Sequence, residues 1–184
     1  MNHYLDIKLV PDAEVPPSVL MNAIYTKLHK ALCDQRSTAI GVSFPNYKLS
    51  LGDSLRLHGT AENLGKIHSL NWVGAMSGYC KQSDILTVPA DASFRTVSRK
   101  QPNMSPAKLR RLVKRGSVSE EEAINYRAKM FSKGLDEPYL ELISGSNGQR
   151  HRRYIELGEL VSEPVAGKFD QFGLSKTATI PWFD

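Results

Sequence analysis

The sequence predicts an α+β protein, with an N-terminal ferredoxin-like domain of the split βαβ type followed by a smaller α+β domain that carries a basic, arginine-rich helix. Three observations predict it. Apolar residues alternate in short runs near the N-terminus and again around Ile40 and Ser54, which is strand spacing. Between these runs Leu20, Ile24, Leu28 and Ala31 recur at helical spacing. Beyond residue 92 the chain changes character, because Ala92 to Val118 contains no Asp or Glu.

His3 to Val10 puts Leu5, Ile7 and Leu9 on one side of a strand, which Pro11, Pro16 and Pro17 then break. Ser18 to Asp34 reads as a helix whose stripe is widened by Met21, Tyr25 and Leu32. Ile40, Val42 and Phe44 alternate as a second strand closed by Pro45. A turn at Gly52 and Asp53 leads into a third, Ser54 to His58. Thr60 is a suitable N-cap for a short helix from Ala61 to Ser69. Tyr79 to Val88 completes the pattern as a fourth strand, giving β-α-β-β-α-β and a first domain over 1–92. RNA-recognition motifs share this RRM-like arrangement, as do many unrelated proteins, so it assigns no function by itself. The aromatic K/R-G-F/Y-G/A-F run of such motifs is absent, so bases are not expected to stack on this sheet in the usual way.

The second domain, 93–184, follows a linker from Pro89 to Ser93. An extended basic segment runs from Phe94 to Gln101. Ser105 as N-cap, Pro106 at the first helical position and Gly116 as a stop bound a helix over about 106–115. Leu109, Leu112 and Val113 share one arc of it, and Lys108, Arg110, Arg111, Lys114 and Arg115 fill the rest. Ser119 and Glu122 form a capping box for a further helix that runs to about Lys133, where Gly134 stops it. Tyr139 to Ile143, Arg152 to Leu157, Glu159 to Val165 and two short stretches up to Trp182 read as strands.

Composition narrows the function. The 184 residues carry 24 Lys plus Arg against 19 Asp plus Glu, a net charge of +5. The acid-free stretch alone holds Arg95, Arg99, Lys100 and the five cations of the basic helix, so the rest of the chain is net acidic. Such asymmetry points to a polyanionic partner, since a merely solvated face usually mixes both signs. No apolar run approaches the ~20 residues that span a bilayer, and Asp6 and Lys8 interrupt the N-terminal apolar stretch, so neither a membrane anchor nor a signal peptide is expected. Two isolated cysteines, Cys33 and Cys80, suit a reducing cytoplasm and exclude a disulfide scaffold. No metal and no cofactor is expected: His29 and Cys33 stand four apart on one helix but lack further ligands.

An exposed row of arginines and lysines suits nucleic acid, through phosphate contacts and through bidentate contacts to guanine edges. Arg99 and Gln101, two apart in an extended segment, face the same way and could read a guanine and an adenine, although by themselves they are ordinary exposed polar residues. His29 lies one helical turn after Tyr25 at the border of the apolar stripe. There it could take a proton from a ribose 2′-hydroxyl, although on position alone such a histidine is more often simply packed at a helix edge. Ser144-Gly145-Ser146-Asn147-Gly148 could place hydroxyls near a phosphate, and read alone is a hairpin turn.

Several short pieces in order add to this. They are His3-Tyr4-Leu5-Asp6-Ile7, Lys27-Leu28-His29, Gly41-Val42-Ser43-Phe44-Pro45, Val97-Ser98-Arg99 with Gln101, Leu109-Arg110-Arg111, Gly148-Gln149, Gly173-Leu174-Ser175-Lys176 and Pro181-Trp182-Phe183. Together they resemble the CRISPR-associated endoribonuclease family of type I-F systems, which cuts precursor CRISPR RNA at a repeat hairpin. The resemblance implies His29 as general base on the 2′-hydroxyl, and Ser144 holding the attacking ribose with Ser146 beside it. It implies Arg99 and Gln101 reading bases at the foot of the stem, and Lys108, Arg110, Arg111, Lys114 and Arg115 on a helix entering the hairpin's major groove. It further implies metal-free cutting to a 2′,3′-cyclic phosphate and a 5′-hydroxyl, retention of the cut CRISPR RNA with other subunits of a surveillance complex, and a bacterial cytoplasmic setting.

Two positions depart from the family pattern. A tyrosine that supports the histidine is replaced by Phe172, which can pack on His29 but has no hydroxyl to offer it. A phenylalanine that stacks under the last base pair of the stem is replaced by His151. The arginine helix is also thinner, with Leu112 and Val113 interrupting its cations. An RNA-hairpin-binding subunit without chemistry and a basic double-stranded-DNA-binding protein are the competing readings.

Overall fold

The computed structural model describes residues 1–10, 12–101, 106–133, 135–143 and 148–183, without the side chains of 106, 107 and 129–133. The N-terminal half folds in the expected order: β1 (His3–Leu9), α1 (Pro17–Asp34), β2 (Gly41–Ser43), β3 (Ser54–Gly59) and α2 (Ala61–Ser69). A 3₁₀ turn, Gly74–Tyr79, then leads to β4 (Cys80–Gln82) and β5 (Leu86–Thr87). The strands lie in the order β2-β3-β1-β4, each antiparallel to its neighbour, with β5 also on β1. This is the ferredoxin-like arrangement.

Alternation along β1 buries Leu5, Ile7 and Leu9 on the helix side. Every member of the α1 stripe, from Leu20 to Leu32, is buried there as well. Thr60 caps α2 by accepting the Asn63 amide, as its position predicts. The single run expected from Tyr79 to Val88 is instead two short strands. Between them Ser83 exchanges bonds with Asp6, its Oγ accepting the Asp6 amide at 2.9 Å, so a side chain replaces one rung of the ladder.

The other face of this sheet is polar and closed. Arg56, only 7% exposed, binds Asp6 with Nε and Nη2 at 2.7 and 2.9 Å, and its guanidinium packs over the rings of Tyr4 and Phe183. Beside it His58 is fully buried, with Nε2 2.7 Å from Ser43 Oγ and no partner for Nδ1. Burial, reinforced by Arg56 and then by the N-terminal amine, pushes its pKa down to about 3. An unfolded histidine titrates near ~6.5, so between those values the unfolded chain binds a proton that the fold refuses. Stability is therefore expected to fall as pH drops below about 6.5, by about 2 kcal/mol at pH 5. Thermal unfolding at pH 7 and pH 5 checks this; an undiminished pH dependence in His58→Gln would assign it to another group.

The C-terminal half contains β6 (Ser93–Arg95), β7 (Val97–Lys100), α3 (Pro106–Lys114), α4 (Glu120–Lys133), β8 (Tyr139–Ile143), β9 (Arg150–Leu157) and β10 (Ile180–Trp182). A second antiparallel sheet runs β7-β9-β8, and β10 pairs with β6. The capping box is formed: the Ser119 amide donates to Glu122 Oε2 at 2.8 Å and the Glu122 amide to Ser119 Oγ at 3.1 Å. Helix α3 ends as expected at Gly116, whose φ of +70° lets the Gly116 and Ser117 amides turn back onto Val113 and Leu112. Its Ser105 cap, the Gly134 stop and the Ser144–Asn147 hairpin tip lie outside the described residues.

The strand expected at Glu159–Val165 does not form. Val161 makes an isolated bridge to Phe94, Val165 is tied to Thr179, and Pro164 between them has no amide to donate. Of the two stretches expected before Trp182, β10 alone is a strand; the residues ahead of it form a loop that matters more. Val97, Leu140, Leu142, Ile155, Phe169, Leu174 and Ile180 share one hydrophobic core with the residues of the first sheet. No described helix is long and apolar enough to cross a membrane.

Candidate nucleic-acid interface and active site

His29 projects from α1 next to the loop 170–174. Asp170 builds that loop, its Oδ1 accepting the amides of Phe172 and Leu174 at 2.8 and 2.9 Å. Gly173 completes it with φ +71°, where a Cβ would also land on the side chain of Val42. The loop is sewn to both sheets, since the Val42 amide donates to Gly173 O and the Ser175 amide to Val97 O, each at 2.9 Å. It thus holds two neighbouring side chains, Gln171 and Phe172, where the sheets meet.

The imidazole of His29 is half-buried and held three ways. Its Nδ1 is 2.8 Å from Gln171 O. A carbonyl only accepts, so Nδ1 carries the proton and, in the neutral ring, Nε2 keeps the lone pair. Phe172 stacks on the ring at 3.6 Å between centroids and 11° between planes. Cys33, one turn on, places Sγ 3.5 Å from Nδ1 and donates to Gln171 Oε1 at 3.2 Å. Burial, with Asp34 adding to it, pushes the Cys33 thiol up and so keeps it protonated. Phe172 is itself pinned, because Tyr25 Oη donates to its carbonyl at 2.6 Å.

On the far side of the loop lies an open cleft of about 450 Å³. Arg99, Gln101, Arg153, Lys168 and Lys176 line it with Asp170, so cations outnumber carboxylates four to one. Arg99 and Gln101 therefore do open on one space. Arg153 was not singled out by sequence reasoning, because one arginine in a strand has no distinguishing spacing. It is 7% exposed, with its guanidinium carbon 3.5 Å from the Phe172 ring centroid.

The basic helix sits apart from His29. Leu109 is buried, Leu112 and Val113 are half-buried, and Lys108, Arg110, Arg111, Lys114 and Arg115 are exposed. Arg127 of α4 joins Arg110 and Lys114 around a shallow groove, a cation that lies outside the acid-free stretch and was missed for that reason. Two cations of that stretch serve the fold instead. Arg95 donates to Gly158 O and packs on Trp182. Lys100 bridges Glu137 and Glu156 at 2.6 and 2.8 Å, and these bonds push its pKa up. His151 is half-buried on β9 opposite Leu142. Ser144 and Ser146 lie outside the described residues, in the segment between Ile143 of β8 and Gly148 ahead of β9.

Comparison with known proteins fits this arrangement. A family model described as CRISPR-associated protein (Cas_Csy4) matches residues 4–183. A "CRISPR-associated endonuclease Cas6/Csy4" of Escherichia coli (strain UTI89 / UPEC) is 41% identical over 184 residues, covering all of both chains. A protein of the same description from Pseudomonas aeruginosa (strain UCBPP-PA14) is 40% identical over 187 residues, again covering all of both. With a family match over almost its entire length and relatives aligned end to end, this chain belongs to the CRISPR-associated Cas_Csy4 family.

Proposed function

We propose that this protein is a metal-independent endoribonuclease that binds the repeat stem-loop of precursor CRISPR RNA and cuts at its 3′ base. Full-length relatives described as CRISPR-associated endonucleases support the class of reaction. The observation that carries the mechanism is the bond from His29 Nδ1 to Gln171 O, which leaves Nε2 as the basic nitrogen at the edge of a cationic cleft. In this reading Nε2 removes the proton of a ribose 2′-hydroxyl. O2′ attacks the adjacent phosphorus and the 5′-oxygen of the next nucleotide leaves, giving a 2′,3′-cyclic phosphate and a 5′-hydroxyl. The nucleophile is part of the substrate, so the chemistry asks the protein for a base, alignment and charge neutralisation rather than a metal.

Ser144 holds the attacking ribose, with Ser146 beside it. Both follow β8, which packs along α1 through the Glu141 amide and Asn22 Oδ1 at 3.0 Å. Arg99 and Gln101 read bases at the foot of the stem from the cleft they share. Lys108, Arg110, Arg111, Lys114 and Arg115 on α3 hold the stem, and His151 stacks beneath its last pair. The mature CRISPR RNA then stays bound, with the protein a subunit of the surveillance complex in the bacterial cytoplasm.

The missing hydroxyl of Phe172 favours a second reading, a hairpin-binding subunit without chemistry. One experiment separates the two. The protein is mixed in EDTA with a repeat-hairpin RNA, and with the same RNA carrying a single 2′-deoxy nucleotide at the cut. Cutting of the all-ribose RNA alone is the expected result. Tight binding with neither RNA cut would establish the second reading.

A further inference from the structure

Arg153 stands in a place that is costly for an arginine. It is 7% exposed, and its buried Nε has no hydrogen-bond partner. A buried donor without a partner is rare in folded proteins, and a buried guanidinium is normally paired with a carboxylate or a carbonyl. Here the guanidinium lies against a ring, with Cζ 3.5 Å from the Phe172 centroid. The imidazole of His29 already occupies one face of that ring at 3.6 Å, nearly parallel to it. Two groups at these distances cannot share a face, so the three planar groups form a column: imidazole, phenyl, guanidinium.

We propose that Arg153 is a positioning residue for His29, clamping Phe172 from behind so that the ring holds the imidazole in the orientation that reaches Gln171 O. The inference rests on the reading of His29 as the general base. Tyr25 and Asp170 fix only the main chain at Phe172, through its carbonyl and its amide. Nothing in those two bonds sets the plane of its side chain; the groups on its two faces do. Arg153 is mounted for that task on β9, the central strand of the second sheet, opposite Leu140 of β8. The planar guanidinium stacks flat on an aromatic face, which a lysine ammonium cannot do. The column also accounts for the absence of a hydroxyl at position 172: the imidazole is oriented by a carbonyl at Nδ1 and by stacking, and a phenyl ring suffices for stacking.

The competing role is direct contact with RNA, since Arg153 also lines the cleft that holds Arg99 and Lys176. Two measurements on the full chain distinguish the roles. The first is the proton NMR position of the His29 ring CH signals, which the stacked Phe172 ring displaces upfield. The second is single-turnover cleavage of the repeat hairpin, measured beside its equilibrium affinity. In Arg153→Ala the upfield displacement is expected to disappear. Cleavage is expected to slow by about 10-fold to 100-fold while affinity stays within about threefold, as for a base moved slightly off its proton. Arg153→Lys keeps the charge but loses the plane, and is expected to behave like Arg153→Ala rather than like the wild type. If Arg153→Ala does not fold, Arg153→Lys decides by the same two readouts.

An unchanged His29 signal, or an unchanged cleavage rate, overturns the inference. So does a loss confined to affinity with a shallower salt dependence, which would make Arg153 a phosphate ligand. His29→Ala run in parallel separates this from the reading beneath it. If that variant cuts at the wild-type rate, the role of His29 itself falls. If it is inactive while Arg153→Ala cuts normally, only the clamp falls.

Discussion

Replacing His29 by alanine is expected to slow cleavage of the repeat hairpin by about 10³-fold while leaving its affinity within about threefold, because general-base catalysis contributes about 10²-fold to 10⁴-fold. The separation of the two effects follows from the layout. His29 sits on α1 at the edge of the loop 170–174, whereas the cations available for phosphates lie on α3 and around the cleft. Removing the imidazole takes away one base and one stacking partner of Phe172, and leaves every cation in place. A folding defect is not expected, since the side chain is half-buried at a helix edge and Phe172 remains pinned by Tyr25. Single-turnover rates and binding curves on the same RNA check the prediction. A proportionate loss of affinity would mean that His29 binds RNA rather than acting on it.

Neutralising three exposed cations of the basic helix, as Arg110→Ala, Lys114→Ala and Arg115→Ala together, is expected to do the reverse. Affinity for the hairpin should fall by about 10²-fold to 10³-fold, since bonds from charged groups contribute about 1–2 kcal/mol each. The slope of log affinity against log salt should flatten by about 2 to 3, at ~0.7–0.9 for each phosphate no longer neutralised. The bound RNA should still be cut at close to the wild-type rate once the variant is saturated. These positions suit the experiment because they face solvent, while Leu109 on the opposite side anchors α3 in the protein. Titration at several salt concentrations reads the slope directly. An unchanged slope would place the RNA stem elsewhere on the molecule.

The charge pattern of the sequence led to the right helix and overcounted the cations free for RNA. Arg95 and Lys100 belong to the same acid-free run as Arg110, and nothing in their spacing distinguishes them. In the fold Lys100 meets Glu137 and Glu156, and Arg95 meets Gly158 and Trp182, partners supplied by distant segments. Arg127 was missed for the converse reason: it stands among glutamates in sequence, yet α4 brings it beside Arg110.

What the sequence determined by itself are the features whose partners lie within a turn or a strand. The buried stripe of α1, the Thr60 and Ser119 caps, the glycine that ends α3 and the alternation of β1 are all of this kind. Each depends on backbone periods and on bonds spanning three or four residues, which are the same in any protein. Only the tertiary structure decided how His29 is held. Its Nδ1 partner is a main-chain carbonyl 142 residues away, and a carbonyl is present at every position, so no residue type announces it. The same holds for the column of His29, Phe172 and Arg153. Three separate segments contribute one planar group each, and their stacking exists only once two sheets and the loop between them have closed on one another.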